Sequence, residues 1–366
     1  MRVPWPGFAT LLFALGSPLY PQQNQPPTGK GSPKTFSWND GKTTFALERA
    51  HLELSNRLQV RFSLTDETAR PQTQSFRIRR FKTKLEGWVY TKDLSFEMQL
   101  NWSEDKPLED ANITYDFTRG KKGLLLKGGQ FKVPFGRQEL TSSMNQQFVD
   151  RSIVSNEFAK GRDIGIQVGG LALGGRVDWR VGAFNGAGRN AVANDNDKLQ
   201  YDVRLTWQPW GDVKYSESDV ECTPEPQLAV AAQYELNDRR GASAANDVKR
   251  AVWGGDLVFR FRGLWFFTEY YRAQDTPEVG AMNTRHGLNL QAGYFIVPKK
   301  LELALRWAEL NPSLARRGDQ RRETGLALGY FFNRHAHKLQ ADVRRLTDSG
   351  AKKTVNELRL QYQVFF

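Results

Sequence analysis

One cysteine, four histidines and no run of eighteen apolar residues are found in the 366 residues of the chain. The lone Cys222 excludes a disulfide framework, and it lies in a polar, proline-containing stretch, away from any cluster with metal-ligand spacing. Without a long apolar run there is no helical membrane span. His51, His286, His335 and His337 are too few and too scattered for a Ser-His hydrolase signature, so no enzyme is expected. His335-Ala336-His337 offers two imidazoles near a turn but no third ligand close in sequence, so no metal site and no cofactor is expected either. Formal charge is +12, yet it is spread along the chain and accompanied by no recognised nucleic-acid fold, which argues against a nucleic-acid partner.

What is present fits a membrane protein that conceals its apolar face. Only 39% of residues are hydrophobic and mean hydropathy is −0.59, yet the chain carries 10 Trp, 11 Tyr and 23 Phe. A barrel wall turns every second residue toward water, so its average hydropathy stays low while aromatic girdles mark the membrane interfaces. From Leu47 onward period-2 segments recur, among them Leu58-Val60-Phe62-Leu64, Leu94-Phe96-Met98-Leu100-Trp102, Leu199-Tyr201-Val203-Leu205-Trp207 and Leu301-Leu303-Leu305-Trp307. Helical spacing is nowhere sustained over a comparable length.

The expected fold class is all-β: a transmembrane antiparallel β-barrel of about 16 strands, with a long third loop folded into the lumen. Short turns at 91–93, 119–123, 170–175, 262–263, 297–300 and 333–337 alternate with longer polar loops near 65–74, 103–109, 134–162, 185–198, 237–250, 272–286, 309–321 and 347–353. A secreted β-sandwich shares the alternating strands but needs no such two-sided asymmetry. The stretch Pro209 to Pro226 is long yet falls on the short-turn side, which leaves room for one more hairpin there beside the expected count of about sixteen.

Both ends add to the expectation. Arg2, the apolar Phe8 to Leu15 and the small-x-small Ala14-Leu15-Gly16 read as a signal peptide over 1–16, followed by a periplasmic tail or linker over 17–42 and the barrel domain over 43–366. At the other end Leu358, Leu360, Tyr362, Val364 and Phe366 share one strand face while Arg359, Gln361 and Gln363 share the other. This resembles the terminal strand of outer-membrane barrels, which implies recognition by the barrel-assembly machinery through the strand ending at Phe366, and a location in the bacterial outer membrane.

The longest connection, about 29 residues, is where function is expected. It begins with Gly128-Gly129-Gln130-Phe131-Lys132-Val133-Pro134-Phe135-Gly136 and runs through Thr141-Ser142-Ser143 and Arg151-Ser152 to Gly161-Arg162-Asp163-Ile164-Gly165. Irregular backbone at membrane depth is tolerated only where it lines a watery cavity. Over Gly128 to Gly170 these runs resemble the phosphate-selective porin O/P family. The resemblance implies a homotrimer of 16-stranded barrels whose third loop narrows the pore, with basic side chains passing small anions such as phosphate. On this chain it nominates Arg137, Arg151, Lys160 and Arg162 for the constriction and Lys132 for its mouth. One departure is Met144, where the family commonly has a basic residue after Thr-Ser-Ser.

Arginine suits the task because its fork holds oxyanions bidentately and does not titrate. The opposing reading pairs Arg162 with Asp163 and Arg151 with Asp150 as structural pins. Along the wall the inward charges nearly balance: Lys82, Lys84, Arg180, Arg204, Arg306 and Arg359 stand among the bases, and Glu97, Asp178, Asp256, Glu302 and Asp342 among the acids, with many expected to form cross-strand pairs. Basic outer loops, with Arg316, Arg317, Arg321 and Arg322, are suited to gathering anions or to binding outer-membrane lipid and lipopolysaccharide phosphates. The expected function is passive diffusion of small hydrophilic solutes with anion preference, phosphate or polyphosphate being the candidate solutes; a general weakly selective porin and a plugged structural barrel are the alternatives.

Overall fold

The computed structural model describes residues 35–39, 41–240 and 247–366. The expected signal peptide and most of the tail lie outside them. Among the described residues, sixteen antiparallel strands close into a ring: β3 (Ala50–Glu67), β4 (Thr73–Val89), β5 (Leu94–Asn101), β6 (Leu108–Asp116), β7 (Leu125–Lys132), β8 (Arg162–Ala172), β9 (Val177–Phe184), β10 (Gln200–Trp207), β11 (Gln227–Arg239), β12 (Val248–Phe261), β13 (Leu264–Pro277), β14 (Asn283–Val297), β15 (Leu301–Asn311), β16 (Arg321–Asn333), β17 (His337–Asp348) and β18 (Lys353–Phe365). Each pairs with the next, and β18 closes on β3 with Leu360 opposite Phe62 and Tyr362 opposite Val60. Ahead of the ring a hairpin of β1 (Thr35–Asn39) and β2 (Lys42–Leu47) pairs through β2 with the first residues of β3. β1 falls inside the stretch read as a tail; its alternation is too short to stand out.

Alternation sorts the wall's two faces. Tyr201, Val203, Leu205 and Trp207 are about half exposed while Gln200, Asp202, Arg204 and Thr206 between them are buried. In water the outer band would be a liability; in hydrocarbon it is what solvates the barrel, and closure pairs both edges of each of the sixteen ring strands. A β-bulge breaks the rhythm in β4, where Gln59 faces Arg80 and Val60 faces Ile78, so Arg79 is the extra residue.

Strands run further than their apolar patterns. β13 reaches Pro277 and β14 starts at Asn283, leaving a connection of 278–282 where a longer loop, 272–286, is expected. Polar residues there mark the end of the membrane band while pairing continues into water. The 208–226 connection contains no additional strand, so the suspected hairpin is absent and the count of sixteen stands. That connection is ordered by its own contacts: the Asp219 carboxylate accepts from the backbone N–H of Thr223 and of Gly263, both at 2.8 Å. Val213 packs with Ala229, Val258, Trp265 and Phe267.

Candidate functional site: a basic cavity beside two packed connections

Between β7 and β8 the chain forms two short helices, α1 (Arg137–Leu140) and α2 (Ile153–Phe158), within the 133–161 connection. Gly136 precedes α1 at φ 77°, a left-handed conformation that glycine adopts without strain. Ser152 caps α2 by accepting from the Ser155 N–H. Val133, Phe135, Val154 and Phe158 pack with Phe184, Val252, Tyr271, Ala273, Ala308 and Leu310 of the wall. Wall glycines leave the room. A Cβ on Gly287 would lie 2.9 Å from the Phe158 ring and 3.0 Å from Val154, and one on Gly325 would lie 2.9 Å from Phe148.

Backbone and side chains of the connection are taken up by inward polar groups from β11 to β18. Gln233 accepts from the Gly136 N–H, Glu323 from Ile153 and Asp342 from Val149, while Lys338 donates to the Gln146 carbonyl and Gln340 to the Gln147 carbonyl. Gln147 donates to Glu302 at 2.7 Å, and Arg306 donates to the Asp150 carbonyl at 3.0 Å. The Asp150 carboxylate is the most charged joint. Arg61 reaches it through two nitrogens at 2.7 and 3.1 Å, with Arg359 at 3.3, Arg79 at 3.5 and Arg80 at 3.7 Å. Burial alone would raise its pKa; these guanidiniums outweigh burial and hold the carboxyl well below the usual range.

On the β3 to β9 side lies a cavity of about 440 Å³. Eleven basic side chains border it against four carboxylates. Each carboxylate is already held by a base: Glu97 by Lys84 at 3.2 Å, Glu104 by Arg189 at 2.6 Å, Glu109 by Lys82 and Asp110 by Arg162 at 2.7 Å. Arg57, Arg79, Arg80 and Lys127 add positive charge beyond those pairs.

The five nominated residues separate. Lys132, Arg151 and Arg162 border this cavity; Arg137 and Lys160 do not. Lys132 donates to the carbonyls of Glu139, Leu140 and Thr141, and Arg151 to those of Gln138, Glu139 and Thr141 with its Nε 2.9 Å from the Glu139 carboxylate. Arg162 forks onto Asp110 at 3.0 and 2.7 Å. The sequence-adjacent pairs Arg162 with Asp163 and Arg151 with Asp150 are replaced by these partners, because neighbours along a strand or sharp turn point apart. Arg137 is buried and donates to the carbonyls of Val213 and Lys214 at 2.8 and 3.0 Å. Lys160 donates to Gln200 at 2.8 Å, and burial brings its pKa down to about 8 against the upward pull of Glu235. The two central histidines diverge. His335 is buried against the Glu217 carbonyl, and half-buried His337 meets the Tyr362 hydroxyl.

Sequence reading missed Arg57, Arg61, Arg79, Arg80, Lys127 and Arg189. For Arg79 and Arg80 the signal was the Arg-Arg pair interrupting an alternating strand, which a bulge explains.

The family model for phosphate-selective porins O and P matches residues 52–364. The chain belongs to that family. A protein from Aquifex aeolicus (strain VF5) of uncharacterised role is 23% identical over 87% of this chain and 88% of its own length. Among solved structures, the anion-selective porin from Comamonas acidovorans superposes with a TM-score of 0.63 at 11% identity, covering 87% of this chain and all of that one. The trimer form of OmpT, an outer membrane protein of Vibrio cholerae, gives 0.56 at 10% identity, again over 87% and 100%. Family membership and fold make this an outer-membrane β-barrel channel of the porin class, seated in the bacterial outer membrane.

Proposed function

We propose that the porin passes small anions, phosphate among them, by passive diffusion along the basic cavity, with the 133–161 connection folded into the lumen as its constriction. One observation carries the reading: the cavity's carboxylates are each matched by a base while further arginines and lysines border the same space. Clusters of fixed positive charge of this kind select anions. Within the constriction Lys132, Arg151 and Arg162 bound the path, whereas Arg137 and Lys160 hold the connection in place. The alternative of a weakly selective pore is favoured by the wall as a whole, whose pairs Arg204 with Asp256 and Arg359 with Asp342 cancel. A homotrimer is supported by the solved trimer of OmpT. Arg316 and Arg317 in the 312–320 loop suit lipopolysaccharide phosphates, and the strand ending at Phe366 suits the assembly machinery.

The test is single-channel recording of purified protein in planar bilayers with chloride as carrier, followed by phosphate titration. Anion current that falls as phosphate is added supports the reading. Anion current indifferent to phosphate reduces it to a general anion pore, and folded protein without conductance overturns it.

A further inference from the structure

The basic cavity meets two smaller cavities that lie toward the short-turn end of the barrel. One, of about 400 Å³, shares Glu97 and Lys127 with it and is bordered by Lys42, His51, Glu53 and Glu86 as well. The other, of about 360 Å³, shares Arg180 and Tyr215 and is bordered by Lys122, Arg137 and Lys214 against Asp178 and Asp212. An anion leaving the basic cavity meets a slight excess of carboxylates, two of them paired to Lys42, by the first outlet and a basic majority by the second.

Tyr215 belongs to neither the wall nor the 133–161 connection; it is carried in by 208–226. Arg137 donates to the carbonyls of Val213 and Lys214, just ahead of it, and the Arg137 and Arg180 guanidiniums lie 4.6 and 5.4 Å from its ring centroid. Arg180 is fixed at the other side by a fork onto Asp178 at 3.1 and 2.6 Å. A flat aromatic face that holds guanidiniums by cation–π contact keeps them in place while leaving their N–H edges to meet an oxyanion.

We infer that Tyr215 is a specificity-determining residue, the wedge that narrows and orients the Arg180 neck through which small oxyanions pass from the basic cavity to the 360 Å³ outlet. Arg137 is its positioning residue. This rests on the anion-channel reading above and adds a second constriction, supplied by the connection that sequence alone placed on the wrong side of the length rule.

The experiment compares wild type, Tyr215→Phe and Tyr215→Ala by single-channel conductance and by reversal potential in a KCl gradient. Phe keeps the ring and should match wild type. Ala should raise conductance about twofold or more and lower the chloride preference; unchanged conductance and reversal potential in folded Tyr215→Ala overturn the inference while leaving the anion-channel reading intact. Should Tyr215→Ala not fold, Tyr215→Cys in a Cys222→Ser background is treated with a small anionic thiol reagent during recording. Labelling that cuts the current supports the neck, and failure to label, or labelling without effect, overturns it. Wild-type protein that prefers cations would overturn the anion reading, and this inference with it.

Discussion

Two sides of one barrel are built from the same alternating strands and do opposite things with their inward residues. From β11 to β18 the inward amides, carboxylates and bases are taken up by the 133–161 connection: Gln233, Glu302, Arg306, Glu323, Lys338, Gln340 and Asp342 each hold a piece of it. From β3 to β9 the inward set is dominated by bases and borders open space. The near balance of inward charges along the whole wall conceals this, because a census by strand face averages a packed side with an open one. On the reading proposed above, anion preference follows from where the connection lies, and Asp150, touching Arg61, Arg79, Arg80 and Arg359, joins the two sides.

The comparison breaks most severely at that joint. Asp150→Ala leaves the buried Arg61 and Arg80 guanidiniums without their anion while Arg359 keeps Asp342, and removing one partner of a buried ionic cluster costs about 3–5 kcal/mol. Urea unfolding in lipid vesicles should show a loss of that size, and recordings should show a noisier, larger conductance as the connection loosens. On the packed side, Gly287→Leu drives a side chain into Phe158 and Val154, an overpacking that costs about 1–3 kcal/mol. It should lower the unfolding midpoint with little change in ion preference. On the open side the signs reverse: Lys127→Gln with Arg189→Gln breaks the partly exposed Arg189 pair with Glu104, a loss of about 1 kcal/mol or less, yet should weaken anion preference measurably. Smallest is the response to mild acid. The folded Asp150 carboxyl lies below its unfolded value of about 3.9, so its contribution is complete above that value and is lost only as pH falls further. Conductance at pH 5 and pH 7 should agree as far as this joint is concerned; loosening already at pH 5 would contradict the assignment.

Much of the barrel was legible in the sequence because lipid on one face and water on the other impose a period of two. Where that condition fails, so does legibility. The residues 248–271 show no clean alternation, since Val252, Val258, Trp265, Phe267 and Tyr271 pack against the two folded connections, giving apolar runs such as Leu264 to Phe267 on both faces. Such two-faced runs are a usable signal that an apolar segment packs against that part of the wall. The family motif pointed to the 133–161 connection but not to the partners of its bases. Lys132, Arg137 and Arg151 all bind carbonyls of the folded connections, and those partners are set by tertiary packing that no local spacing encodes. The 208–226 connection was read as a counting fault because length alone does not tell an added hairpin from a segment that folds back on the barrel.

The most direct test of the account is the reversal potential in a KCl gradient, measured for the wild type, for Lys127→Gln with Arg189→Gln on the open side, and for Arg344→Gln, which lies beside Glu357 away from the basic cavity. The account predicts an anion-signed potential that moves toward zero in the open-side variant and stays in place for Arg344→Gln. A cation-signed wild type, or equal shifts from both sides, would contradict it.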